Sequence, residues 1–155
     1  MIDLTACAEP IRHHFLESLK EFAARSGPAQ SVFYHTHPEH GQNHLYFSLD
    51  AGDRLDDILG KPIDAVINFP AWEEEMESAD EEGYERRIKL ADGSIVDVPD
   101  WSEWNRIIAS FCNDLIKDLM STLDASLVPK RVGVCAEYGQ FEETWSPADL
   151  PGTSG

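Results

Sequence analysis

The chain has 155 residues, 42% of them hydrophobic and 26% charged, proportions that suit one globular domain with its own core and exclude wholesale disorder. Its 29 acidic side chains against 12 basic ones leave a formal net charge of −17, which disfavours nucleic acid and anionic membranes and favours a basic partner. No apolar run is long enough for a membrane-spanning helix and the N-terminus lacks the pattern of a secretory signal, so neither is expected.

Ile11, Phe15, Leu19 and Phe22 recur at spacings of four, four and three, which predicts an amphipathic helix over 9–25. Pro10 suits its first turn and Ser26-Gly27-Pro28 its stop. The β-prone runs SVFYHTH and HLYFSLD flank PEHGQN and read as a hairpin with a six-residue connection. With His37 opposite His44, the side chains of Val32, Tyr34, Thr36, Leu45, Phe47 and Leu49 share a core face. Phe33, His35, His37, His44, Tyr46 and Ser48 then share the other face.

In 51–70, DRLDDIL reads as a short helix ended at Gly60-Lys61-Pro62, and IDAVINF as a buried strand closed by Pro70. Residues 71–85 hold eight acidic and no basic side chains; like charges crowded at helical spacing predict a mobile, solvated helix or loop. RRIKL and IVDV on either side of Asp92-Gly93 predict a second hairpin. Trp104, Ile107, Ile108, Phe111, Leu115, Leu119 and Leu123 predict a long helix over 101–124, with Asp100 and Glu103 at capping-box spacing. RVGVCAEYG reads as a strand with Val132, Val134 and Ala136 on one side.

Strands that cluster rather than alternate with helices predict an α+β fold. The expected architecture is a single domain over 1–145 with a flexible tail over 146–155. Its sheet is expected to be largely antiparallel, built from the two hairpins and the C-terminal strand, and packed against the N-terminal helix and the long helix.

Four of the six histidines fall within ten residues: His35, His37, His40 and His44. Alternate residues of one strand and a cross-strand neighbour project from one face, so His35, His37 and His44 are candidate ligands for a single ion, the arrangement of a catalytic zinc. The string Phe33-Tyr34-His35-Thr36-His37-Pro38 resembles the His-Ser/Thr-His-Pro core of the JAMM/MPN metalloproteases. That family continues with seven residues, a Ser, two residues and an Asp, and takes its general acid/base from an upstream Glu. Here Leu45 occupies the Ser position, ten residues separate His37 from Ser48, and only one separates Ser48 from Asp50. The upstream acids, Glu17 and Glu21, fall on a predicted helix.

The three cysteines, Cys7, Cys112 and Cys135, are odd in number, widely spaced and without a Cys-x-x-Cys pair, which argues for reduced thiols in the cytoplasm rather than a disulfide or zinc scaffold. None sits in a context that lowers a thiol pKa. There is no nucleophile elbow, P-loop or dinucleotide-binding glycine motif. The expectation is therefore a protein that is not an enzyme and carries no cofactor; the alternative is a small metal-dependent hydrolase or metal-binding protein using the histidines.

Aromatic side chains set among acids offer the clearest binding signal. Trp72 stands beside Glu73, Glu74, Glu75, Glu77, Asp80, Glu81 and Glu82, and Asp97, Asp100, Trp101 and Glu103 cluster where the second hairpin meets the long helix. Charge of one sign steers an encounter and aromatics supply buried area, so these twelve residues form the predicted partner-binding site. Taken with the helix over Ile11–Phe22, the hairpin Val32–Leu49, the Trp-led helix Trp101–Leu123 and the strand Arg131–Glu137, the pattern resembles the small acidic immunity proteins that bacteria carry against polymorphic and contact-dependent toxins. The resemblance implies a cytoplasmic, non-catalytic inhibitor that covers the active site of a basic cognate toxin, often a nuclease, in a 1:1 complex.

Overall fold

The computed structural model describes residues 1–150. In chain order they form β1 (Ile2–Asp3), α1 (Ala8–Ser26), β2 (Ser31–His37), β3 (Gln42–Ser48), α2 (Leu55–Ile58), β4 (Ala65–Asn68), α3 (Pro70–Glu77), β5 (Arg87–Lys89), β6 (Ile95–Asp97), α4 (Trp101–Met120), β7 (Arg131–Ala136) and β8 (Glu142–Trp145). The fold is α+β, with one sheet of five strands in the order β4-β3-β2-β7-β8 and one of three in the order β1-β5-β6.

The expected single sheet is therefore two. The Asp92-Gly93 hairpin forms as β5 and β6, but it pairs with β1 and not with the first hairpin. The C-terminal strand joins β2 in parallel, Ser31 to Arg131 through Thr36 to Ala136, while the other pairings of the large sheet are antiparallel. A parallel partner almost a hundred residues downstream leaves no local signal, because only a tight turn between neighbours is written into adjacent sequence.

The first hairpin is two residues tighter than its predicted register. His35, not His37, faces His44, and His37 pairs with Gln42 across Pro38–Gly41. An even shift keeps every side chain on its predicted face. Val32, Tyr34, Leu45 and Phe47 are buried with Val132 and Val134 in the core shared with α1 and α4. Leu49 lies past the end of β3 and is exposed.

Both long helices follow their apolar stripes. α1 buries Ile11, Phe15, Leu19 and Phe22. It ends at Gly27, whose N–H returns to the Ala23 carbonyl at 3.0 Å. The Asp100 carboxylate caps α4 by accepting from the Glu103 N–H at 2.8 Å. The reciprocal half of the capping box is missing because the Glu103 carboxylate turns to Arg106 one turn on. α4 ends at Met120, so Leu123 lies beyond the helix and packs on the core from the following turn.

The acidic middle of the chain opens with a helix, one of the two forms its charge allowed. α3 forms with Pro70 in its first turn, and Trp72 is buried at 1% exposure, stacked on Phe69 with ring centroids 4.4 Å apart. One buried indole contributes more than exposed carboxylates lose by crowding. IDAVINF contributes an edge strand, not a buried one: in β4, Val66 and Asn68 face solvent. Ser146–Leu150, within the expected tail, include a 3-10 turn with Pro147 buried, and Leu150 packs on the core; the rest of that tail, 151–155, lies outside the described residues.

The two faces of the large sheet are covered unequally. α1 and α4 seal one. On the other, Ile58 and Leu55 of α2 cover Phe33 and Tyr46, which leaves the histidine end half-open. Among the described residues no helix is long and apolar enough to cross a membrane, and all three cysteines are buried free thiols.

Gly41 fixes the hairpin tip against α3. Its φ of +62° is left-handed, and a Cβ there would lie 2.6 Å from the Phe69 carbonyl oxygen. The Phe69 N–H also donates to the Gly41 carbonyl at 2.6 Å. Gly41→Ala is expected to lower the unfolding free energy by about 2 kcal/mol or more, measured by chemical denaturation; a loss below about 0.5 kcal/mol would mean that the tip moves off α3 without penalty.

Candidate functional site

The hairpin β5–β6 and the first turns of α4 enclose a groove of about 520 Å³. Apolar Leu90, Val96 and Ile107 line it together with Asp97, Asp100 and Glu103. A second hollow of about 250 Å³ shares Leu90 and Ile107 and adds Leu4, Phe111 and Asp114. Three of the predicted site residues thus meet around one concavity, with an apolar lining that the sequence reading did not pick out.

The predicted carboxylates divide by what they do in the fold. Asp97 pairs with Arg87 at 3.1 Å, Asp100 caps α4, and Glu103 pairs with Arg106. Glu75 accepts from the ammonium of Met1. Glu73, Glu74, Glu77, Asp80, Glu81 and Glu82 are exposed, and among the described residues none of them has a cationic partner. That run is a stretch of uncommitted charge.

The two predicted aromatic anchors part company. Trp72 is core, so its indole has no surface to offer a partner. Trp101 is half-buried: it stacks on Tyr84 at 6.3 Å, meets Trp104 edge-on at 5.3 Å, and lies 5.4 Å from the Arg86 guanidinium. Tyr84 and Trp101 thereby tie the end of the acidic segment to the start of α4.

The histidines gather as their face assignment predicts. His37 lies between His35 and His44, with ring centroids 3.9 Å and 4.2 Å away, and His40 is 6.5 Å off. Their nitrogens do not converge: among the described residues no three His, Cys, Asp or Glu side chains are placed to hold one ion. Burial, with the neighbouring imidazoles, lowers His35, His37 and His44 to about 4 each, so all three are neutral near pH 7. Glu17 and Glu21 lie on α1, across the sheet from these rings, and the Ser48 hydroxyl donates to Asp53. Among the described residues neither α1 acid reaches this face, and Ser48, which does lie on it, is engaged with Asp53 rather than with the histidines.

The group that does face the histidines is Glu137. Its Oε1 is 3.1 Å from His37 Nδ1 and its Oε2 is 3.9 Å from His40 Nε2. Burial raises its carboxyl, partly offset by His40. The in-register pairing of Thr36 with Ala136 is what carries residue 137 alongside residue 37. No signal in the sequence pointed to it, because the β2–β7 pairing itself was invisible. Cys135 pairs with His35 in the same register, but burial pushes its thiol up to about 12, so it is no nucleophile.

Comparison with protein-family models, curated proteins and solved structures finds no match for this chain.

Trp72→Ala is expected to destabilise the fold by about 3–5 kcal/mol, as for other buried aromatics, in thermal or chemical unfolding. The histidines give a pH dependence. An imidazole at about 4 when folded and 6.5 when unfolded binds its proton more readily unfolded. Its contribution is therefore full above pH 6.5 and is withdrawn as pH falls toward 4. The raised Glu137 works the other way, gaining stability once protonated. Unfolding free energy is expected to fall across this window by up to about 1.4 kcal/mol per pH unit for each imidazole, less where solvent screens it. A double variant His35→Gln/His44→Gln should flatten that slope; an unchanged slope would mean that these rings titrate alike in both states.

Proposed function

We propose that this chain is a non-catalytic binding protein, an inhibitor of the immunity type, which neutralises a basic cognate toxin in the cytoplasm by covering its active site with an acidic surface. The observation that carries the reading is the groove between β5–β6 and α4, where Asp97, Asp100 and Glu103 line an apolar hollow. Such a groove suits Lys and Arg, whose aliphatic stems pack on Leu90, Val96 and Ile107 while the cationic heads share Asp97 and Glu103 with Arg87 and Arg106. The six unpaired acids between Glu73 and Glu82 add a long-range field that draws a basic partner in.

Charge and groove have separable roles. The field raises the encounter rate and is screened by salt. Desolvated contacts in the groove set the lifetime of the complex, because related complexes differ mostly in dissociation rate. A net charge of −17 exceeds the ~2–8 that solubility asks of a small domain, and the self-repulsion it brings is offset when a cationic surface docks. In a nuclease target, the same carboxylates would stand where substrate phosphates otherwise bind, so inhibition and recognition use one surface.

The test is recovery of the native complex at low and high salt, followed by association kinetics with the recovered partner. One basic protein in 1:1 ratio, released by salt, is expected. Glu73→Lys/Glu74→Lys/Glu77→Lys should slow association by about tenfold and flatten its salt dependence. Ser102→Trp, which fills the groove from an exposed position, should instead speed dissociation by ~2 kcal/mol worth of affinity or more. Kinetics indifferent to both variants would sink this assignment of the surface.

A further inference from the structure

The open face of the large sheet carries a hollow of its own, of about 360 Å³, between α2 and strands β7 and β8. Its floor is apolar. Phe33 pairs with Gly133, whose missing side chain lets the ring lie across β7, and Leu55 packs beside it. Arg54 and Asp56 line the hollow from the α2 side, Arg131 and Glu142 from β7 and β8. Arg131 is anchored there by one bond, donated from its guanidinium to the Asp53 carbonyl at 3.3 Å. Two cations and two anions thus line one hollow. Among the described residues none of the four forms an ion pair, either with one another or with a neighbour. Acids outnumber bases 29 to 12 in this chain, yet both guanidiniums lack a carboxylate.

We propose that this hollow binds a small zwitterion with an apolar side chain, a molecule of the amino-acid class. Arg54 and Arg131 offer N–H groups to its carboxylate, in the fork geometry that suits guanidinium to planar anions. Asp56 and Glu142 accept from its ammonium group, and Phe33 and Leu55 take up the side chain. The volume lies near the low end of the ~300–1,000 Å³ of small-molecule sites, which limits the ligand to one or two amino-acid units. Charge decides between ligand classes. A net −17 repels a free anion such as inorganic phosphate, and Asp56 and Glu142 repel it again at short range. A zwitterion carries no net charge, so it enters without that penalty and satisfies both signs of the lining. A free amino acid and a very short peptide share this chemistry. The hollow has no residue in common with the groove between β5–β6 and α4, so it stands or falls apart from the inhibitor reading.

The experiment is calorimetric titration of the full chain with L-leucine, L-phenylalanine and the dipeptide Leu-Leu. Saturation at one equivalent by at least one of them is expected, and whether the amino acids or the dipeptide bind more tightly identifies the source. Leucinamide, which lacks the carboxylate, and N-acetyl-leucine, which lacks the ammonium, should each bind at least about tenfold more weakly than L-leucine. Arg54→Gln and Asp56→Asn, both at exposed positions that leave the core intact, should each weaken binding by a similar factor. Ser102→Trp, in the separate groove, should leave the affinity unchanged. The proposal is overturned by the absence of saturable binding for all three ligands, by leucinamide or N-acetyl-leucine binding as tightly as L-leucine, or by affinity that survives both Arg54→Gln and Asp56→Asn.

Discussion

Strand β2 is hydrogen-bonded along both edges, to β3 through a four-residue turn and to β7 across almost the whole chain. That double pairing is the constraint from which the rest of the molecule hangs. It seats Val32 and Tyr34 beneath α1 and α4, and it fixes which residues of β7 stand beside which histidines. Gly133 pairs with Phe33: a Cβ there would lie 2.7 Å from the Phe33 ring, so the aromatic occupies the space a side chain would need. β8 is then held to α4 by polar contacts. The Trp145 indole N–H donates to Asn113 Oδ1 at 2.8 Å, and Asn113 and Lys117 both donate to the Glu143 carboxylate.

The distribution of acids follows from a division between structural and uncommitted charge. Asp100 caps a helix, Asp97 and Glu103 balance nearby arginines, and Asp92 and Asp124 close turns by accepting from Ser94 and Ser126. Such carboxylates are bound up in the fold. Those from Glu73 to Glu82, Glu75 apart, have no such duty, and they project from a helix that stays in place because Trp72 is driven into the core. Repulsion along α3 is tolerated because a buried indole contributes more than the neighbouring charges cost.

Local pattern carried most of the secondary structure. The stripes of α1 and α4, the hairpin at Asp92-Gly93 and the two faces of the first hairpin all rest on spacings within a few residues, and all of them appear. What failed was long-range. Nothing near RVGVCA says that it will lie parallel to SVFYHTH, and nothing near RRIKL says that it will seek Ile2. Edge or centre, buried or open, is decided by such distant pairings, which is why IDAVINF read as buried and why Glu137 went unnoticed. The same limit applies to the sites. The acidic residues were legible as a composition, and the histidines as a face. The apolar lining of the groove and the carboxylate beside His37 emerge only once non-adjacent strands are aligned.

The three thiols sit in different parts of this architecture: Cys7 at the start of α1, Cys112 inside α4 against Tyr34, and Cys135 on β7 beneath the histidine face. Burial raises the pKa of each, so the reactive thiolate is scarce as well as sheltered. A chain with three free cysteines should therefore resist oxidative crosslinking and alkylation as though it had none, for as long as it stays folded. Each sulfur becomes a clock for its own neighbourhood: the order in which the three react reports whether the small sheet, the helix layer or the far face of the large sheet opens first.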